Sequence, residues 1–171
     1  MSGRIGAGSR GGTIRFQAPL LDRLIDLAPD QSRDPPTSAG DSLVALRNAV
    51  RRDLEALLNA RRCWRSWPDQ FKELAVSPIG YGVPDFSSGA FSDARQREEL
   101  RLEIEDTIRR FEPRFISVTV VLGQAQSTLE STLRLRIDAL LHAEPAPEPM
   151  TFDTLVNPSS DEVIVVARDA I

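Results

Sequence analysis

The stretch Arg110-Phe-Glu-Pro-Arg-Phe115 divides the chain into two regimes. Before it, Leu100, Ile104, Ile108 and Phe111 recur at helical spacing; after it, from Ile116, apolar residues alternate with period two. Pro113 has no backbone N–H to continue a helix, and it disfavours helical angles at Glu112. Helix-period segments first and strand-period segments afterwards define an α+β chain: N-terminal helices followed by a small antiparallel sheet of about four strands. One residue breaks the local stability logic. Glu112 puts a negative charge at a helix C-terminus, where the macrodipole opposes it by up to about 1 kcal/mol. Arg114 is the nearest group to offset it. A charge so placed, between two Phe and two Arg, suggests an interaction partner.

Upstream of the junction the chain reads in three pieces. Residues 1–18 are rich in Gly, Ser and Arg and read as a flexible arm, with Phe16 as an anchor. Their glycines follow no strand, open no helix and lack Gly-Lys-Ser/Thr, so a phosphate loop is not indicated. Residues 19–40 hold a short docking helix and a Pro-rich linker. The helix, Pro19 to Leu27, spaces Leu20, Leu24 and Leu27 along one face. Nine residues hold no helix alone in water, so it must dock on its own core or on another chain. Residues 41–171 form the α+β domain. Asp41 or Ser42 caps a helix to about Ala60, with Leu43, Leu46, Val50, Leu54, Leu57 and Leu58 as its stripe. Arg47, Arg51, Arg52, Asp53 and Glu55 read as its solvated face.

Arg61, Arg62, Cys63, Trp64, Arg65 and Trp67 follow. Arginine interleaved with tryptophan suits single-stranded nucleic acid. It equally suits a hydrophobic anchor at a helix end, and the net charge of −4 favours the anchor. Residues 68–92 are broken by Pro and Gly, with one helical turn near Asp69–Leu74. Within them Tyr81-Gly-Val-Pro-Asp-Phe86 reads as a loop packed on the core, Gly82 taking angles closed to other residues. Ser92 or Asp93 opens the next helix, which ends at Phe111. Glu105–Arg109 and Asp106–Arg110 are favourable i, i+4 pairs on it, each worth about 0.2–0.5 kcal/mol.

Downstream, Phe115–Leu122 reads as a strand facing inward through Ile116, Val118, Val120 and Leu122. After a turn at Gly123–Ser127 comes a second strand, Glu130–Leu141, with Leu133, Leu135, Ile137 and Ala139 on one face. His142–Pro149 reads as linker. Met150–Val156 and Glu162–Ala167 read as a second hairpin about Asn157–Asp161.

Residue inventory narrows the chemistry. His142 and Cys63 are the lone histidine and cysteine. No structural zinc site or intrachain disulfide can be drawn from them. A Ser-His-Asp triad would have to use His142, which reads as a linker residue, with no nucleophile-elbow sequence present. Neither catalytic residues, cofactor nor metal is expected. Paired carboxylates remain. Glycoside hydrolysis needs one of them in an apolar pocket that raises its pKa. Glu98, Glu99, Glu103 and Glu105 sit among arginines, which act the other way, and Arg110 and Arg114 flank Glu112. No apolar run approaches the about 18 residues of a spanning helix, and the N-terminus has no secretory h-region. A cytoplasmic protein is expected.

Five motifs occur in order: Leu20-Leu-Asp-Arg-Leu24, Val50-Arg-Arg-Asp-Leu-Glu-Ala-Leu-Leu-Asn59, Tyr81-Gly-Val-Pro-Asp-Phe86, Ile108-Arg-Arg-Phe-Glu-Pro-Arg114 and Phe152-Asp-Thr154. Together, from about residue 18 to 168, they resemble the TssE family, baseplate subunits of the bacterial type VI secretion system. That family is shared with a phage-tail baseplate wedge protein and carries the label "lysozyme-like". Val83 departs from it, standing where many members have Leu. The resemblance implies a structural, non-enzymatic subunit of a cytoplasmic baseplate that docks on a membrane complex. Its implied partners are the wedge subunits TssF, TssG and TssK and the contractile sheath subunits TssB and TssC, whose assembly it would initiate. It implies a sheet like the strand-exchanging part of sheath subunits. It also implies that Glu112, Pro113 and Arg114 help hold the wedge together. A peptidoglycan-cleaving hydrolase is the alternative that the label suggests.

Overall fold

A computed structural model describes residues 19–25, 29–30, 38–63, 67–68, 70–84, 94–123, 133–143, 146–157 and 162–168. The expected arm, most of the linker, Trp64 to Ser66, Asp85, Phe86 and the two hairpin turns lie largely outside them. The elements run α1 (Leu20–Leu24), α2 (Ala39–Asn59), a 3-10 turn (Lys72–Val76), α3 (Ala94–Phe111), β1 (Phe115–Leu122), β2 (Leu133–Leu141), β3 (Glu148–Asn157) and β4 (Glu162–Arg168). The strands form one antiparallel sheet in the order β1-β2-β3-β4. The fold is therefore α+β, helices first, as the periodicity requires.

One-sided burial explains both periods. Helix α2 buries Leu46, Val50, Leu54, Leu57 and Leu58; α3 buries Leu100, Ile104 and Ile108. Both stripes close on Val118, Val120, Leu135, Ile137, Met150, Phe152, Val163 and Val165 in a single core. Helix α3 packs on β1 and α2 on β4, so each helix lies over one edge of the sheet. Buried hydroxyls are paired: Thr154 donates to the Leu135 carbonyl at 2.8 Å.

Several boundaries differ from the sequence reading. Ser38, not Asp41 or Ser42, caps α2. Its hydroxyl oxygen accepts the Asp41 N–H at 3.1 Å and its O–H donates to Asp41 Oδ2 at 2.6 Å. A cap three residues before an acidic side chain satisfies two groups at once, which favours it over later candidates. Helix α1 ends at Leu24, because Ile25 is extended. Leu20 and Leu24 stay 70% and 73% exposed, so α1 does not dock on the core through its leucines; Asp22 ties it to Arg52 on α2 at 2.9 Å. The expected turn near Asp69–Leu74 is the 3-10 turn a few residues later. Strand β3 begins at Glu148, inside the expected linker, because Glu148 and Pro149 pair with Leu141 and Leu140. Pro149 is tolerated near the strand's start.

The inward face of β1 is also corrected. The pairing skips from Phe115–Leu141 to Ser117–Leu140, leaving Ile116 as a bulge residue. The extra residue breaks the alternation. Ile116 is 53% exposed and Phe115 packs against the core instead, while Val118 and Val120 keep their expected places.

Candidate interaction site at the helix-to-strand junction

Helix α3 closes with the Glu112 N–H on the Ile108 carbonyl at 2.9 Å. The chain then turns through Pro113: the Phe115 N–H donates to the Glu112 carbonyl at 3.2 Å. Proline at the second position of such a turn fixes its entry angle. The His142 N–H on the Arg114 carbonyl at 2.8 Å ties the turn to the end of β2.

This rigid turn brings Glu112 and Arg114 together, while Pro113 stays exposed at the surface. Glu112 is 6% exposed. Arg114 donates from Nε to Glu112 Oε1 at 2.5 Å and from Nη2 to Oε2, a bidentate fork of the kind that suits guanidinium to carboxylate. Arg114 Nη2 also donates to Asp53 Oδ2 on α2 at 2.7 Å. The Glu112 hydrogen bonds hold the Arg114 guanidinium above its ordinary range against the opposing effect of burial, with Asp53 adding to the rise. The charge that is a misfit at a helix end is therefore neutralised within the chain.

The pairing continues outward. Arg52 reaches Asp53 at 3.4 Å and Asp22 of α1 at 2.9 Å. Charges thus alternate from Glu112 through Arg114, Asp53 and Arg52 to Asp22. Tyr81 flanks the buried end, its ring edge-on to Phe111 with centroids 5.2 Å apart. Burial pushes the Tyr81 phenol up, and the charges of Asp53 and Glu112 push it further.

The Tyr81 loop is held by backbone geometry. Gly82 has φ +99°, and a Cβ there would lie 2.4 Å from the Ala60 carbonyl oxygen. The Val83 N–H donates to that oxygen at 3.0 Å, and the Arg62 N–H donates to the Val83 carbonyl at 2.9 Å. The Arg62 side chain turns inward, to Thr107 Oγ1 at 3.0 Å and Glu103 Oε1 at 2.6 Å. Arg62 therefore fixes α3 to the loop through polar contacts rather than facing solvent beside a hydrophobic anchor, and Trp64 lies outside the described residues.

Asp53 is the group that sequence reasoning missed. Its helix face reads as solvated in the sequence, yet its neighbours there are also paired: Arg47 with Glu148 at 3.0 Å and Arg51 with Glu55 at 2.6 Å. The expected pairs on α3 form, Arg109 to Glu105 at 2.9 Å and Arg110 to Asp106.

Side chains also close the outer rims of the sheet. On β1, the Val120 N–H donates to Glu105 Oε2 and Arg101 Nη1 donates to the Val120 carbonyl, both at 3.1 Å. On β4, the Val163 N–H donates to Asn59 Oδ1 at 2.9 Å and Asn59 Nδ2 donates to the Val163 carbonyl at 2.8 Å.

Among the described residues, Glu98, Glu105 and Glu112 are not set as a glycosidase's general acid. Both Glu112 oxygens are engaged by Arg114. Arg101 lowers the Glu98 pKa. Burial pushes Glu105 up, but the Val120 N–H, Arg109 and Arg101 more than offset it, so it is lowered. A general acid needs the opposite shift. Among the described residues no group of three or more His, Cys, Asp and Glu is placed to hold a metal ion. Among them, too, no helix is long and apolar enough to cross a membrane.

The described residues thus form a small α+β domain with an internally paired charge network at its helix-to-strand junction. The chain belongs to the family of the baseplate wedge protein gp25, whose sequence model matches residues 44–146. This is the family of TssE, and its members are structural components of phage-tail-like baseplates. The matched span covers most of α2 and all of α3, β1 and β2, including Asp53, Glu112, Pro113 and Arg114. No curated protein matches the chain.

Proposed function

We propose that this chain is the TssE subunit of a type VI secretion baseplate wedge and that it initiates assembly of the contractile sheath. It would act on the cytoplasmic side of a membrane-docked baseplate, contacting TssF, TssG and TssK in the wedge and TssB and TssC in the sheath. Membership of the baseplate wedge family supports the reading, together with the five ordered motifs.

The observation that carries it furthest is the junction. Pro113 is exposed and Arg114 half-buried on a turn locked to α2 through Asp53 and to the end of β2 through His142. A fixed, charged turn of this kind is suited to a directional contact, and Glu112-Pro113-Arg114 is the proposed latch to the wedge. The sheet supplies the second contact. An edge strand accepts a partner strand through main-chain hydrogen bonds, and this is the proposed route from baseplate to sheath.

The test is complementation of a host lacking the chain, with sheath assembly followed by fluorescence microscopy. Wild type restores sheaths. Arg114→Lys, which keeps the charge and loses the fork, is expected to reduce sheath-positive cells at least several-fold at equal protein level. Normal assembly in that variant, and in a Pro113→Gly variant, would remove the latch from the proposal.

A further inference from the structure

Strand addition requires an edge whose backbone groups can be freed, and the two edges differ in how they are sealed. At β1 the seal is ionic and cross-linked. Glu105, which takes the Val120 N–H, also accepts from Arg101 at 2.8 Å and Arg109 at 2.9 Å; Arg101, which serves the carbonyl, also holds Glu98 at 2.9 Å. Withdrawing either side chain breaks several charge-assisted bonds, each roughly twice as strong as a neutral one. At β4 the two shorter bonds of the seal, 2.8 and 2.9 Å, come from one neutral amide. Asn59 is the last residue of α2, is exposed, and is otherwise bonded only to the Glu55 carbonyl of its own helix among the contacts described. Arg51 adds a longer contact, 3.4 Å, to the Val165 carbonyl.

The Asn59 amide has the chemistry of the thing it excludes. Its C=O and N–H meet the Val163 N–H and C=O as a neighbouring strand's peptide groups would. In an antiparallel ladder the outward-facing residues alternate, so Val165 and Ala167 face the same side as Val163. On the open face of the sheet Ile164 and Val166 are 48% and 52% exposed, and Ile164 pairs with the exposed Leu155 of β3. An added strand extends that row, so apolar residues at its alternate positions gain contacts.

We propose that β4 is the strand-accepting edge and that Asn59 is a removable plug in its first hydrogen-bonding position, displaced by an extended segment with apolar residues at alternate positions. The inference rests on the strand-addition reading above and adds to it the edge, the plug and the pattern of the partner. Sealing keeps the edge from pairing with the wrong chain before assembly. The plug makes the correct strand compete for Val163.

The experiment measures affinity of the full-length chain for the purified sheath subunits of the same system, by interferometry. It compares wild type, Asn59→Ala, Asn59→Asp and Ala167→Pro. The aspartate variant retains an acceptor for the Val163 N–H but sets a carboxylate against its carbonyl. Proline at an outward edge position is tolerated in the fold but cannot donate to an added strand. Both Asn59 variants are expected to bind about 5–30-fold tighter, the factor that one or two net hydrogen bonds are worth. Ala167→Pro is expected to bind at least about tenfold weaker on the same scale. If Ala167→Pro weakens binding while folded Asn59 variants are unchanged or weaker, the plug is wrong and strand addition at β4 stands. If wild type binds and no variant changes the affinity, β4 is not the accepting edge. If wild type does not bind, the strand-addition reading fails and the plug with it.

Discussion

Arg114 donates to both carboxylate oxygens of Glu112, the buried residue two places before it. The pair converts a charge opposed by the α3 dipole into the inner end of a network reaching α2 and α1. The two residues are therefore not equivalent targets. Removing Arg114 leaves Glu112 buried and unpaired, whereas Glu112→Gln keeps an oxygen for the guanidinium.

Arg114→Ala is expected to cost about 2–3 kcal/mol. That is below the figure of about 3–5 for a fully buried pair, because the Arg114 side chain keeps 27% exposure. Glu112→Gln is expected to cost about 1 kcal/mol. Urea denaturation followed by circular dichroism measures both. Equal stability of Arg114→Ala and wild type would show that the fork contributes nothing to the fold. The same expectation makes Arg114→Lys the better variant for interface work, since loss of assembly in Arg114→Ala would confound contact with folding.

Gly82→Ala is expected to destabilise by about 2 kcal/mol or more. It combines a φ that side chains rarely adopt with a Cβ driven onto the Ala60 carbonyl. Tyr81 should lose its edge-on packing with Phe111 as the loop lifts. Thermal melting with tyrosine fluorescence reads both effects; an unchanged melt would contradict the described geometry.

Acid sensitivity follows from Glu105. Its folded pKa is depressed below the ordinary 4.5, so its contribution is fully present above that value. The contribution is lost as pH falls through the folded pKa. Glu105→Gln is expected to be less stable than wild type at neutral pH, with the difference shrinking below about pH 4. Chemical denaturation across pH 3–7 checks the sign. A gap that widens on acidification would be inconsistent with it.

The bulge in β1 separates two substitutions that alternation alone treats alike. Ile116→Ser is expected to change stability by less than about 0.5 kcal/mol, as at an exposed surface site. Val118→Ala should cost about 2 kcal/mol from the core. Comparable losses in both would restore Ile116 to the inward face.

What could be read in the sequence follows from how burial writes itself into a chain. The stripes of α2 and α3 and the alternation of β2 and β4 record one-sided burial, so order and class of elements were legible. So was the break at Pro113. Ile116 was not, because a bulge adds a residue without changing the composition of the strand. Ser38 was missed because several cap-forming residues stand close together before α2. Unlike the i, i+4 pairs on α3, the polar contacts between distant residues left no trace. Asp53 meets Arg114 across 61 residues and Asn59 meets Val163 across 104. Neither follows a period, and charges on a helix face look alike whether they meet water or a distant side chain. Of the candidate site, the sequence showed the misfit at Glu112 and the nearest cation, but not the α2 carboxylate that shares it.

The most direct measurement is affinity purification of the tagged full-length chain from its own host, with co-purifying proteins identified by mass. A type VI baseplate role predicts recovery of TssF, TssG and TssK with wild type and their loss with Arg114→Lys. A folded, normally expressed chain that brings down none of these subunits would contradict it.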